Sequence, residues 1–540
     1  MILKKPLAAL VLCACAALAM PFAGAADAVT ATTAATAPAF DLARDVNLAL
    51  KTFDVPGIAI AIVKDGKVVA TQGFGVRRKG DPAPVTGKTL FEIASNSKAF
   101  TAVALAQLVD EGKLKWDDPV IKYLPDFRMH DPYVTQEMTI RDLLVHRSGL
   151  GLGAGDLLWW PTTTFSTDEI IQRLRYVKLS TSFRSAYAYD NLLYIVAGRI
   201  IAQQTGKSWG DTVQERILAP LGMTATTTSV AAMLRSPDYS APHSRIDGKA
   251  AVVKPMPVDN AVGAVGIDTN AEDIAKWMNV LLAGGEVAGS DKRLFSAAQG
   301  REIWSPVTPM KVGEPKGALA ATRANFNFYG LGFNIRDYRG KKLVLHGGAL
   351  QGFYSRVLMM PEEKLGVAIF TNAENGSAMT ALQWRILDHY LGVAPTDWIG
   401  VYAAQEQETH RKDQEKQGKA KAARAAGSKP SLPREAYDGE YTDPWYGKVV
   451  IRHEGRKQVL AFTRTPDLVG ELEHFQHDTF IVRWKERNFN ADAYVTFALN
   501  ADGSIERVKM AAISDETDFS YDFHDLALTP VKAATAATPD

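Results

Sequence analysis

Ser95 and Lys98 bracket the only S-x-x-K in the chain, directly before the apolar run Phe100, Val103, Leu105 and Leu108. Helical residues three apart share a face, so this spacing predicts a hydroxyl beside an amine, a nucleophile next to a base. At a helix N-terminus, unpaired N–H groups and the macrodipole would favour an oxyanion and lower the pKa of a neighbouring lysine. Alone the motif is weak, since about one or two matches are expected by chance in a chain this long. Roughly 90 residues on come Tyr189, Asp190 and Asn191, opening a second apolar helical segment. A tyrosine near an ammonium is a proton carrier if the charge lowers its phenol, and Asn191 supplies an acceptor and two donors for Lys98 and a substrate carbonyl. Taken alone, Tyr-x-Asn is far more often a core tyrosine at a helix start. His346, Gly347 and Gly348 end a third segment, after Val344 and Leu345. Glycines there permit close approach of another backbone, as a substrate laid along a strand edge requires. The Ala349 and Ser95 amides are the expected oxyanion donors.

Around these residues the chain alternates in type. Gly57–Gly75 reads as a β-hairpin about Asp65-Gly66, and 343–345 and 366–370 read as strands. Residues 99–111, 140–144, 190–204 and 270–282 carry helical spacing. Strands at both ends with helices between predict an α+β fold: an antiparallel sheet flanked by helices plus an all-helical lobe. Residues 396–435 read as a polar helix and linker with a solvated face. The segment 436–532 has short strands punctuated by glycines, a small all-β C-terminal domain, with 533–540 a disordered tail. His453-Glu454-Gly455 also matches H-x-G but reads as a hairpin turn there.

The first 25 residues have Lys4 and Lys5, an apolar run to Met20 and a small-residue site ending at Ala25. They read as a signal peptide, followed by a disordered leader at 26–43, with a catalytic domain at 44–395. Export to the periplasm or medium is the expectation. Cys13 and Cys15 are the only cysteines, so cleavage would leave neither disulfide nor thiol nucleophile. With 61 basic and 60 acidic residues there is no field to steer a polyanion, and nucleic acid is not expected as a partner. His474 and His477 lack a third ligand of fitting spacing, no H-E-x-x-H occurs, and phosphate-cradling glycine signatures are absent, so neither metal nor cofactor is expected.

S-x-x-K, Y-x-N and H-x-G in this order and spacing resemble the β-lactamase-related serine hydrolases: class C β-lactamases, D-alanyl-D-alanine carboxypeptidases, D-aminopeptidases and esterases. The stretches 139–150 (TIRDLLVHRSGL), 218–223 (LAPLGM), 263–277 and 329–333 (YGLGF) are similar too. The resemblance implies an acyl-enzyme on Ser95, with Lys98 and Tyr189 moving its proton and either as the proximal base. Asn191, His346, Gly348 and Ala349 would line the substrate and oxyanion site. Class C β-lactamases usually carry K-T-G where this chain has His346, which favours amide or ester bonds of small acyl or D-amino-acid-containing substrates over β-lactams. The C-terminal domain resembles lipocalin-like appendages of such hydrolases. A β-lactamase and a penicillin-type binding protein without turnover are the alternatives. A small molecule or short peptide is the expected partner, with homo-oligomerisation open. His146 reads as structural, Arg147 has no assigned role, and Trp159 and Trp160 read equally as pocket wall or loop anchor.

Overall fold

The computed structural model describes residues 40–531, apart from Asp247 and Ala426. The expected signal peptide, both cysteines, most of the leader and the tail at 533–540 lie outside the described residues. The leader's expected end at 43 is corrected: a helix, α1 (Leu42–Phe53), starts within it. Asp41 caps that helix by accepting from the Arg44 amide, and Val46, Ala49 and Phe53 at helical spacing are buried.

An eight-stranded antiparallel sheet organises the catalytic domain. Its strands are β1 (Gly57–Lys64), β2 (Lys67–Gly75), β3 (Thr308–Pro309), β4 (Asn327–Tyr329), β5 (Asn334–Tyr338), β6 (Lys341–Leu350), β7 (Phe353–Met360) and β8 (Leu365–Thr371), in the spatial order β2-β1-β8-β7-β6-β5-β4-β3. The first two strands thus join the last, as the sequence predicts. Asp65 and Gly66 both have positive φ, 52° and 75°, the conformation a two-residue hairpin turn needs to follow the strand twist. β1 is buried on both faces: Ile58, Ile60 and Ile62 enter one core, Ala59, Ala61 and Val63 the other. Losing one such isoleucine to alanine costs about 2–5 kcal/mol.

On the isoleucine side lie α1, α5 (Gly376–Tyr390) and α6 (Trp398–Ala422). On the other side are α2 (Ser97–Asp110) and α4 (Ala271–Leu282), with α3 (Leu192–Thr205) beyond them in the helical lobe. Most of α2 is buried, which fits a helix apolar around its whole girth and wedged between sheet and lobe. Phe100 stacks on Trp277 of α4 at 4.0 Å.

Eight more strands, from Gly439–Asp443 to Thr529–Pro530, form the C-terminal domain. The last pairs with the first, and a Val508–Leu528 bridge brings the seventh back to the end of the chain, nearly closing a barrel. Tyr437, Phe480 and Phe497 meet inside it with ring centroids 4.7–5.6 Å apart, so side chains fill the interior. The two domains share one apolar core, joined where Phe165 meets Tyr446 and Trp160 meets Tyr521. The polar helix expected from 396 is α6, and its mostly solvated length is interrupted at one inward-facing acid. Asp413 on it is buried and accepts from Ser514 and the Asp515 amide of the C-terminal domain.

Candidate active site

Ser95 stands on a 3₁₀ turn, Ala94–Asn96, immediately before α2 rather than in the helix itself. Residues three apart eclipse in such a turn, which still brings Lys98 under Ser95. Ala94 has a φ of 49°, a left-handed conformation costly for a residue with a Cβ, so neighbours must hold the turn. The Ser355 hydroxyl on β7 does so, donating to the Ile93 carbonyl at 2.7 Å and accepting from Asn96 Nδ2 at 2.8 Å. Gly348 on β6 lies against the same turn, where a Cβ would be 2.1 Å from the Ile93 oxygen. The close approach inferred for this glycine is therefore to the nucleophile turn and not to a substrate.

Lys98 is 0% exposed. Its Nζ lies 2.9 Å from Ser95 Oγ, 2.8 Å from Asn191 Oδ1 and 3.3 Å from the Ala264 carbonyl. Burial lowers its pKa to about 7, against the pull of the Asp156 and Asp190 charges. A neutral amine has two N–H groups and one lone pair. The two carbonyl oxygens can take the N–H groups, leaving the lone pair for the Ser95 hydroxyl. The Asn191 amide is oriented in turn by Asp156, whose Oδ2 accepts from Asn191 Nδ2 at 2.8 Å, while Oδ1 accepts from Trp159 Nε1 at 2.8 Å. Asp156 is itself raised to about 7 by burial.

Tyr189 completes the cluster, with Lys98 Nζ 4.9 Å from its ring centroid and the His146 ring tilted against it at 4.3 Å. The expectation that the lysine lowers this phenol is corrected. Burial raises it well above 10, and the Ser95 hydroxyl only partly offsets that. The group is a phenol, able to donate a proton.

His346 is 6% exposed and close to Tyr329, whose hydroxyl is 2.7 Å from Nε2, with Nδ1 against the Gly347 carbonyl. Burial and the nearby Lys98 depress it to about 3, so the ring is neutral. Past Leu345, the partner of Asn334, β6 keeps β7 on one side only, and Ala349 on that stretch is exposed. The open edge can pair with an extended acyl chain.

Ser95, Lys98, Tyr189, Asn191, His346, Gly348 and Ala349 thus converge from a turn, a helix, a loop and a strand. Sequence reading missed Asp156, Ser355 and the Ala264 carbonyl, which have no motif of their own. Two of the family-like stretches find a use: 263–277 carries that carbonyl, and 329–333 begins with Tyr329. Arg147 pairs with Asp142, which also closes the capping box with Thr139. Trp159 is a buried anchor bonded to Asp156, whereas Trp160, also buried, lines a cavity with Leu350, Gln351 and Tyr354. His474 Nε2 bonds only the His477 carbonyl, and no group of three or more His, Cys, Asp or Glu among the described residues could hold a metal ion.

A family model described as Beta-lactamase matches residues 43–391, and a second, a domain of unknown function (DUF3471), matches 423–530. Unguisins hydrolase ungD' of Aspergillus campestris (strain IBT 28561) is 31% identical over 492 residues, 86% of this chain and 88% of that protein. The octameric penicillin-binding protein homologue from Pyrococcus abyssi has a similar fold: TM-score 0.57, 22% identity, covering 90% of this chain and 98% of that one. D-amino acid amidase from Ochrobactrum anthropi SV3, solved with L-phenylalanine, gives a TM-score of 0.50 at 24% identity over 62% and 93% of the two chains. Likeness in sequence along most of both chains, on a sheet-and-lobe fold with a serine and a buried lysine at its centre, establishes that this protein belongs to the Beta-lactamase family and is a β-lactamase-related serine hydrolase.

Proposed function

We propose that the protein is an exported hydrolase of amide or ester bonds in small acyl or D-amino-acid-containing substrates, working through an acyl-enzyme on Ser95. The observation that carries this reading is the buried Lys98 amine, whose lone pair is left for the Ser95 hydroxyl. Lys98 takes the serine proton as the oxygen attacks the carbonyl carbon. The Ser95 and Ala349 amides receive the oxyanion. Tyr189, a phenol at working pH, gives its proton to the departing nitrogen or oxygen, and the Lys98 ammonium restores it. Water then attacks the acyl-enzyme, its proton passing to Lys98 and back to Ser95 as the acid leaves.

Two observations favour acyl substrates other than β-lactams. His346 brings no positive charge to the third motif, and the relative with 31% identity is named as a hydrolase of unguisins. A fluorophosphonate probe should label the wild type and not Ser95→Ala. A nitrophenyl ester and a D-alanyl peptide should be hydrolysed while a chromogenic cephalosporin is turned over slowly. Absence of labelling in folded wild type would sink the acyl-enzyme route, and fast cephalosporin turnover would sink the substrate class. The signal peptide reading is checked by the N-terminal sequence of the protein recovered from the medium or periplasm, expected to begin at Ala26.

A further inference from the structure

The segment Asp518–Asp522 belongs to the C-terminal domain by sequence, between its seventh and eighth strands, yet it packs into the catalytic domain. Ser520 Oγ donates to Asp156 Oδ2 at 2.9 Å. The Asp522 carboxylate accepts from the amides of Gly155 at 2.6 Å and Leu157 at 3.2 Å, gripping the turn that carries Asp156 from both sides. Phe519, 40% exposed, lies edge-on to Tyr189 at 6.0 Å and so close to Gly153 that a Cβ there would meet its ring at 2.6 Å. Helix α6 braces the preceding loop through Asp413 and through the pairs His410–Glu516 and Lys416–Asp515.

Asn191 has one orientation that satisfies this arrangement. Its Nδ2 must face the Asp156 carboxylate, which turns Oδ1 to Lys98. A continuous path of hydrogen bonds therefore runs from Ser520 through Asp156 and Asn191 to Lys98, crossing from one domain to the other.

We infer that the C-terminal β domain is a working part of the active site, with Ser520 a positioning residue that fixes Lys98 through Asp156 and Asn191, and Phe519 a wall of the cleft beside Tyr189. The inference rests on the reading of Lys98 as the base for Ser95.

The direction of a pH shift separates this role from a merely structural one. Asp156 faces Lys98, Asn191, Trp159 and Ser520, with Asp522 behind it, and Lys98 also faces Asp190, His346, His146 and the rings of Tyr189 and Tyr194. The Ser520 hydroxyl favours the charged form of Asp156. Without it the acid stays protonated to higher pH and withdraws support from the Lys98 ammonium, which then deprotonates at lower pH. Loosening that admits water would do the reverse, returning Lys98 toward 10.5.

The test is Ser520→Ala in the full chain, assayed on a neutral ester, with fluorophosphonate titration counting the folded sites. The expected result is a kcat lowered about tenfold with little change in KM, and an acid limb of kcat/KM moved down by about half a pH unit. Ser520→Thr, which keeps the hydroxyl, should restore both. An unmoved limb with near-normal kcat, or a limb moved upward, overturns the inference. If wild-type Ser95 is not acylated at all, the catalytic reading of Lys98 fails instead, and this inference falls with it.

Discussion

Gly348→Ala tests whether the fit between β6 and the nucleophile turn sets the geometry of the site. The added Cβ would lie 2.1 Å from the Ile93 carbonyl oxygen, 2.3 Å from Ser355 Oγ and 3.1 Å from Ala94 Cβ. Ordinary contact begins near 3.4 Å, so strand and turn must part by roughly an ångström in a close-packed interior. Neither of the two nearest groups can swing aside. One is backbone, and the Ser355 hydroxyl is held by Ile93 and Asn96. The separation would pull the Ala349 amide from the Ser95 amide and strain the turn at Ala94. A displacement of that size costs about 100-fold in kcat, and the overpacking costs about 1–3 kcal/mol of stability. Gly347→Ala is the control one residue away, where the nearest atom to a new Cβ is Arg356 Nε at 3.7 Å. Steady-state ester hydrolysis and thermal melting of both variants decide the matter. Gly348→Ala within about threefold of wild type in kcat, or Gly347→Ala as impaired as its neighbour, would refute the reasoning.

Four further outcomes follow from buried ionisable groups. Because Lys98 is held at about 7, kcat/KM for a neutral ester should fall through an acid limb near pH 7; a profile flat down to pH 5 would exclude Lys98 as the base. Between about 7 and 10.5 the unfolded chain holds the Lys98 proton and the folded chain does not, so wild-type stability relative to Lys98→Met should rise with pH across that window, measured by denaturant melts. Glu92 faces Asp268 across a two-residue ladder, and burial raises it from 4.5 to about 8. Its folded form keeps a proton the unfolded chain has lost, so stability drains away as pH rises from 4.5 to 8. The Tm of Glu92→Gln relative to wild type should therefore grow over that window, and a constant difference would mean the pair does not titrate there. His346→Lys would put an ammonium where burial already holds imidazole neutral at about 3; it should lower Tm without conferring cephalosporin turnover, and a stable, active cephalosporinase would contradict the account of the third motif.

What was legible in the sequence divides along a physical line. The closing of one sheet by strands from both ends and the hairpin at Asp65-Gly66 follow from local periodicity, while the convergence of Ser95, Lys98, Tyr189, Asn191 and His346 was legible only through the resemblance that their order and spacing carry. The direction of the Tyr189 shift was misread, because proximity to Lys98 is visible in a motif and depth of burial is not. Asp156 and Ser520 were missed for a different reason. Each is an ordinary residue until the fold brings them within 2.9 Å across 364 positions of sequence, and a single hydroxyl on a loop has no periodicity to betray it. The same holds for α6, whose charge pattern describes its solvated face and says nothing of Asp413, the one acid it turns inward to the loop before Ser520. A lysine used as a base needs both a dry site and partners that hold its lone pair on the nucleophile. The dryness comes from the apolar helices around α2, which the sequence shows. The holding comes from Asn191 and the Ala264 carbonyl, with Ser520 of the second domain set behind Asp156, an arrangement that only the folded chain can show.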